Sequence, residues 1–578
     1  MKTTTYVLFF LSTSLFGQEA KWLNTEHVLN KDKFYKTEYV NSATQPMIVN
    51  CLMQETPPVL NGPSTPPKFY LFAYDTSGTA QWNIEVKFMK PLEILSVEPE
   101  KFWIIGTGSS AVQIGNQAVI NGFSYPTFKT MYFIELTKTG AVLNTITAAI
   151  AGDTYFNIAD ITSDKNGDFV FCGTVYPDQL TQVPFTYGTF TTTLMPNEKL
   201  FFVTKMKKNG TAGPFYSVRS PRFIQPYTMI QQVSCDPFNG RILFTGRQGD
   251  SLMAGNSYYL NNTGFPQFFV GSLDSTFNQL AFNASYFSTR GPLINEAAFN
   301  KTDSSFYLIG TWGNQLSYGV AQPVQGHTGS VNNSFILKLK PNSLVTDSIF
   351  TCIPQNNSVL NFINLSDISV AGDGTMYVCG YVTDSTVNMG NTMYAFNNGL
   401  PYTDYESILI RISPGMLVDT VLASSDNGNS LFTSLAVHGR DVYCSGNYFN
   451  GFSMCGLNSS SVPPGSEGDA LLLRFYDENL PLIPEGVNTG VTFNKTLHPE
   501  LIIYPNPSKA EVYLKLPDVW KEQPLVEITD GYGRSVSPAS ALISNSTIYL
   551  DLKFLTPGIY FITVHNGSQR LTKKLLIE

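Results

Sequence analysis

An apolar strand ending in glycine returns along this chain as Phe102-Trp103-Ile104-Ile105-Gly106, Phe169-Val170-Phe171-Cys172-Gly173 and Ile242-Leu243-Phe244-Thr245-Gly246. It recurs as Phe306-Tyr307-Leu308-Ile309-Gly310, Met376-Tyr377-Val378-Cys379-Gly380 and Val442-Tyr443-Cys444-Ser445-Gly446. The glycines lie 64 to 73 residues apart, which is a repeat period. A second apolar strand interleaves with the first, at 70–75, 132–136, 201–205, 268–272, 335–339, 408–412 and 471–475. Met47 to Met53 reads as a further copy of the first strand that lacks its glycine.

The array therefore opens with one strand type and closes with the other. A row of sheets leaves edge strands open to aggregation, and pairing the last strand beside the first removes them. The expected fold is all-β, with a seven-bladed β-propeller over residues 34–484. A two-sheet sandwich and a β-solenoid are the alternatives. The pattern resembles bacterial seven-bladed propeller repeats, and the stretch from Ile161 through Asp164-Lys165-Asn166-Gly167 to Gly173 is its best local match. Those repeats combine an aromatic F-x-x-K strand, a D-x-x-G turn and a Y-V-x-G strand. The third and fourth repeats depart from that pattern, so the resemblance bears on architecture and not on activity.

Charged residues are only 14% of the chain and aromatics reach 13%, a mix that suits half-buried strands. The net charge of −8 comes from scattered carboxylates and excludes a basic nucleic-acid surface. Lys2, the apolar stretch from Tyr6 to Leu15 and the small residue Gly17 read as a signal peptide over 1–17, cleaved before Gln18. No later run is long enough for a transmembrane helix. Cys172 and Cys379 read as small buried hydrophobes, and Cys444 and Cys455 are the one pair near enough in sequence for a local disulfide.

Residues 485–499 read as a linker, and residues 500–578 as a small immunoglobulin-like β-sandwich. Its motifs run in order: Tyr504-Pro505-Asn506-Pro507, Asp530-Gly531-Tyr532-Gly533, Leu555-Thr556-Pro557-Gly558-Ile559-Tyr560 and the basic strand Lys573-Lys574-Leu575-Leu576-Ile577. These residues resemble the type A C-terminal sorting domain of the type IX secretion system of Bacteroidetes. The resemblance implies export to the periplasm, recognition of 500–578 by the type IX machinery, and release or anchoring at the cell surface.

No HExxH, GxSxG, phosphate-loop or dinucleotide pattern occurs. His438-Gly439 reads as an exposed turn, Asp164 to Asp168 as a tight β-turn, and Ser424 to Ser430 as a single imperfect Asp box. Counting thirteen residues back from the strand glycines gives Glu93, Asp160 and Asp367, with Glu296 one place out of register. If these strands are innermost, the three acids face one end of the central channel. Carboxylates gathered there repel unless a cation joins them, so calcium is the candidate cofactor. The alternative is that each acid accepts hydrogen bonds from turn amides of its own repeat. Three functions stay open at this point: a surface module binding a glycan or protein ligand, a polysaccharide hydrolase, and a structural surface protein.

Overall fold

The structure is a computed structural model that describes residues 18–577 with interruptions. The interruptions before the C-terminal unit are 27–31, 43–44, 55–67, 119–129, 150–153, 178–181, 197, 221–227, 250, 262–265, 289–291, 318–323, 327–331, 341–342, 356–361, 397–404, 425–428, 450–451, 456, 460–468 and 478–501. Those within it are 505–507, 510, 516–524, 531–533, 537–540, 545–546, 554 and 567–568. The expected signal peptide, the linker and Pro505 to Pro507 lie outside the described residues. Every regular element among the described residues is a strand. The chain divides into two units, Met1–Asn488 and Thr489–Glu578.

The first unit repeats one motif, an antiparallel meander whose first strand carries a β-bulge. Thr154–Ser163 pairs with Phe169–Pro177, which pairs with Lys199–Met206 and then Ala212–Ser220. The first strands of the meanders are Asp32–Val40, the second half of Ala80–Glu98, Thr154–Ser163, Met229–Cys235, Leu293–Asn300, Ile363–Val370 and Asn429–His438. Each packs against the next, and Asn429–His438 also packs against Asp32–Val40. The last meander takes its fourth strand from the start of the chain, where Gln18–Glu26 pairs with Asp469–Asp477. That strand lies ahead of residue 34, in a stretch whose polar composition hides it. An outermost strand has one neighbour, so it needs no apolar pattern to be placed.

The repeat is long because the connections between second and third strands fold as well. Ser251–Ala254 pairs with Ala212–Ser220 of the preceding meander, as Gln315–Ser317 does with Gln279–Ser288 and Thr386–Met389 with Thr346–Pro354. Each such hairpin extends the sheet before its own, so neighbouring repeats share backbone hydrogen bonds as well as apolar packing.

The bulge explains the glycine. Gly173 lies opposite Ile158, immediately before the register shift between Ile158 and Asp160. A Cβ on Gly173 would stand 2.3 Å from the Asn157 carbonyl oxygen. The same close approach recurs at Gly106, Gly246, Gly310, Gly380 and Gly446, each 1.9 to 2.4 Å from a carbonyl oxygen of its bulged strand. No side chain fits there without moving backbone.

The lysine and aspartate of the repeat also meet. Lys205 pairs with Asp164 and, at 3.1 Å, with Asp168. Lys338 lies 2.8 Å from Asp303 in a later repeat. The Asp164 turn is closed by Gly167 N–H donating to the Asp164 carbonyl at 2.9 Å, with Asp164 Oδ1 accepting from Asn166 and Asp168 amides. All seven cysteines are free thiols, so the Cys444–Cys455 bridge is absent, and both lie with one apolar cluster of the last two repeats. His438 is no exposed loop residue. It ends a strand, half-buried, with its ring stacked on Tyr39 at 3.8 Å between centroids.

The second unit has two four-stranded sheets. One runs Ile502–Tyr504, Glu511–Lys515, Thr547–Asp551, Ala541–Ser544, and the other Ser535–Val536, Leu525–Asp530, Gly558–Asn566, Gln569–Ile577. Val512, Leu514, Ile548 and Leu550 from the first share a core with Ile528, Ile562, Val564 and Leu575 from the second.

Candidate functional site

The seven bulges place one residue of each meander in a common register: Lys36, Glu93, Asp160, Gln232, Glu296, Asp367 and Ser434. A bulge re-aims the side chain that follows it. Six of these residues, all but Gln232, line one cavity of about 170 Å3 with Glu38. The three acids singled out from the sequence are therefore brought together, and Glu296 joins them.

The count of thirteen missed the others for a simple reason. The number of residues between bulge and glycine differs by one among repeats, so Val233, Ala297 and Thr433 stood where Gln232, Glu296 and Ser434 belong. Lys36 was invisible because its repeat has Leu52 opposite the bulge instead of glycine.

The cation facing these carboxyls is Lys36, whose Nζ lies 2.6 Å from Glu93 Oε2. Burial works against its charge, but Glu93, Glu296, Asp160 and Asp367 together hold its pKa well above the ordinary lysine value. Among the described residues, no group of three or more His, Cys, Asp or Glu is placed to hold a metal ion.

The acids also hold adjacent strands together. Asp160 Oδ2 accepts from Val233 N–H at 2.9 Å, and Asp367 Oδ2 accepts from Leu435 N–H at 2.7 Å. Ser434 Oγ accepts from Thr37 N–H at 3.2 Å. In each case the donor follows the bulge-register residue of the next meander. Glu38 Oε1 likewise accepts from Ser96 N–H at 3.0 Å. Burial raises the Glu38 carboxyl to about 8 and, with Glu93 beside it, Asp160 to about 7. Burial likewise pushes Glu296 well up and Asp367 up. The cavity still admits solvent, since Lys36 is 27% and Glu93 13% exposed.

In the second unit, Tyr560 is buried and its hydroxyl donates to the Thr556 carbonyl at 2.9 Å, which ties the Thr556-Pro557-Gly558 turn to the strand it starts. Tyr504 is exposed and stacks on Tyr513 at 5.6 Å between centroids. Lys573 and Lys574 are exposed on Gln569–Ile577, which lies last in its sheet, where lysine discourages strand addition.

Residues 502–578 match the family model described as the secretion system C-terminal sorting domain. These residues are a type IX sorting domain. The sorting domain marks the chain as secreted to the cell surface or extracellular space, and it implies interaction with the type IX machinery. No curated protein matches the chain. Among solved structures it is similar to the polysaccharide lyase Uly1, with 9% identity over 92% of this chain and 98% of that one, at a TM-score of 0.29. It is also similar to the exotype rhamnogalacturonan lyase YesX, with 8% identity over 95% and 90%, at a TM-score of 0.26. A Bacteroides thetaiotaomicron protein of unknown function shares 10% identity over 67% and 98%, at a TM-score of 0.18. No helix among the described residues is long and apolar enough to cross a membrane.

Proposed function

We propose that the chain is a type IX cargo whose first unit is a closed seven-bladed β-propeller that binds a glycan or protein ligand on one face. Closure is supported by the pairing of Gln18–Glu26 with Asp469–Asp477 and by the contact of Asn429–His438 with Asp32–Val40. The mature chain then begins at Gln18.

One observation carries binding over catalysis. The carboxyls of the bulge register are engaged with Lys36 and with amides of adjacent strands, whereas a larger cavity of about 420 Å3 on the other side of that register is lined about equally by polar side chains such as Asn157, Thr174 and Gln231 and by apolar ones such as Met229, Ile230 and Ile294. A ligand pocket is typically about 300–1,000 Å3. The test is a glycan and surface-protein binding array with the mature protein, run beside a polysaccharide turnover screen. Binding without turnover supports the reading. Turnover abolished by Asp160→Asn would replace it with a hydrolase, and silence in both assays would leave a structural surface protein.

Export has its own test. Removing residues 500–578 should leave the first unit folded in the periplasm, since its strands pair only with one another among the described residues. Normal surface display of the truncated chain would refute that role.

A further inference from the structure

The second sheet of the sorting domain alternates its side chains in and out along the last two strands. Tyr560, Ile562, Leu575 and Ile577 belong to the core, so the residues between them face outward. On that outer side Ile559 is 44%, Phe561 38% and Leu576 36% exposed. Ile559 lies directly opposite Leu576, and Phe561 stands two residues on, opposite Lys574. Three large apolar side chains are therefore contiguous on one exposed sheet face. Ile559 and Leu576 sit inside the motifs Leu555 to Tyr560 and Lys573 to Ile577, next to the core residues. Burial accounts for Tyr560, Leu575 and Ile577 but for none of these three. A contiguous exposed apolar patch marks contact with another molecule.

The opposite outer face is filled differently. Tyr504, Tyr513 and Tyr549 lie across from one another on three strands, with ring centres 5.6 and 5.4 Å apart. Their rings cover one another, and their hydroxyls suit water. The edge of Gln569–Ile577 is also engaged at its end, where Ser508 N–H donates to the Leu576 carbonyl at 2.9 Å. That contact opposes strand addition there and leaves the sheet face for docking. A second copy of the chain fits this face poorly. A stable pair buries about 800 Å2 a side, and three part-exposed side chains fall well short of that, whereas a transient contact needs less. Export is a transient contact, and the family match implies that the type IX machinery engages residues 502–578.

We infer that the type IX machinery docks on the outer face of this sheet, through an apolar surface of its own that covers Ile559, Phe561 and Leu576. The inference rests on the type IX reading of residues 500–578 and adds the surface through which they act.

The experiment measures how the full-length chain partitions between periplasm and cell surface in the secreting cell. Phe561→Glu removes the aromatic ring from the patch and sets a carboxylate opposite Lys574, an opposite-charge cross-strand pair compatible with folding. The triple change Ile559→Thr, Phe561→Thr, Leu576→Thr keeps β-branched side chains on both strands. Both should cut the surface fraction about tenfold or more, as for loss of a central interface anchor, with the chain collecting in the periplasm. Tyr504→Thr combined with Tyr513→Thr should export normally. An unchanged melting curve of each purified full-length variant shows that the domain is folded. Normal display of a folded Phe561→Glu chain overturns the inference and leaves the export reading intact, and so does an equal loss in the tyrosine variant. Dimers of the unmutated chain that Phe561→Glu abolishes without impairing display would make the face a self-contact instead. Normal display of a chain lacking residues 500–578 removes the type IX reading itself.

Discussion

Lys36 Nζ and Glu93 Oε2 stand 2.6 Å apart although they come from different meanders, each as the first residue after its strand's bulge. Glu296, Asp160 and Asp367 act on the same ammonium from three further meanders. One lysine therefore offsets the mutual repulsion of four carboxyls. Replacing it with methionine should cost about 1.5–3 kcal/mol at pH 8, the range for hydrogen bonds to charged groups. The loss should shrink at pH 5, where Asp160, raised to about 7, takes up a proton. Urea midpoints at both pH values measure this, and a loss independent of pH would show that the acids do not depend on Lys36. Calcium and chelator should both leave the melting temperature of the unmutated protein in place, because the position of the cation is held by the chain itself.

Glu38 provides a test by pH. Burial raises its carboxyl to about 8, from an unfolded value near 4.3. Between those values the folded protein holds a proton that the unfolded chain has lost, so stability falls as pH rises through that window. Asp160, raised to about 7, adds a loss of the same sign. The melting temperature should decline from pH 5 to pH 8.5, and Glu38→Gln should flatten the upper part of that decline. An identical profile in the variant would mean that Glu38 is solvated in the folded state.

Gly173 tests the cause of the repeat itself. A Cβ there meets the Asn157 carbonyl oxygen at 2.3 Å and the Phe202 ring at 2.7 Å. Gly173→Ala should destabilise by about 1–3 kcal/mol, the usual range for overpacking a well-filled site. Denaturant unfolding reads this directly, and a neutral substitution would reduce the repeated glycine to a feature of composition.

Asp477 ends the strand that pairs with Gln18–Glu26 and is almost fully buried. Arg411 Nε lies 2.7 Å from its carboxylate, and the Tyr377 hydroxyl donates to it. Asp477→Ala would leave Arg411 without that charge, and removing one partner of a buried pair costs about 3–5 kcal/mol. Arg411 retains Asp419 at 2.6 Å, so the lower figure is expected. A loss below about 1 kcal/mol in urea titration would show that Asp419 suffices.

The amino-acid sequence alone determined the strand content, the repeat and its period, and the sorting domain, because each is written locally. Apolar alternation, a glycine where two backbones approach and turn residues such as Asp164 and Gly167 act over a few neighbours. The C-terminal motifs are equally local, and Thr556 to Tyr560 is closed by hydrogen bonds within the motif. Only the tertiary structure decided which side chains meet. A bulge shifts register by one residue, and a one-residue difference in hairpin length is enough to hide Glu296, Gln232 and Ser434 from a fixed count. Gln18–Glu26 gave no sign of pairing with Asp469–Asp477, because an outer strand is placed by backbone hydrogen bonds that composition does not encode. Lys36 and Lys199 are ordinary lysines in the sequence. Burial among Glu93, Asp160, Glu296 and Asp367 makes the first an internal counter-ion, while burial beside the Tyr176 ring sets the second in the wall of a different cavity.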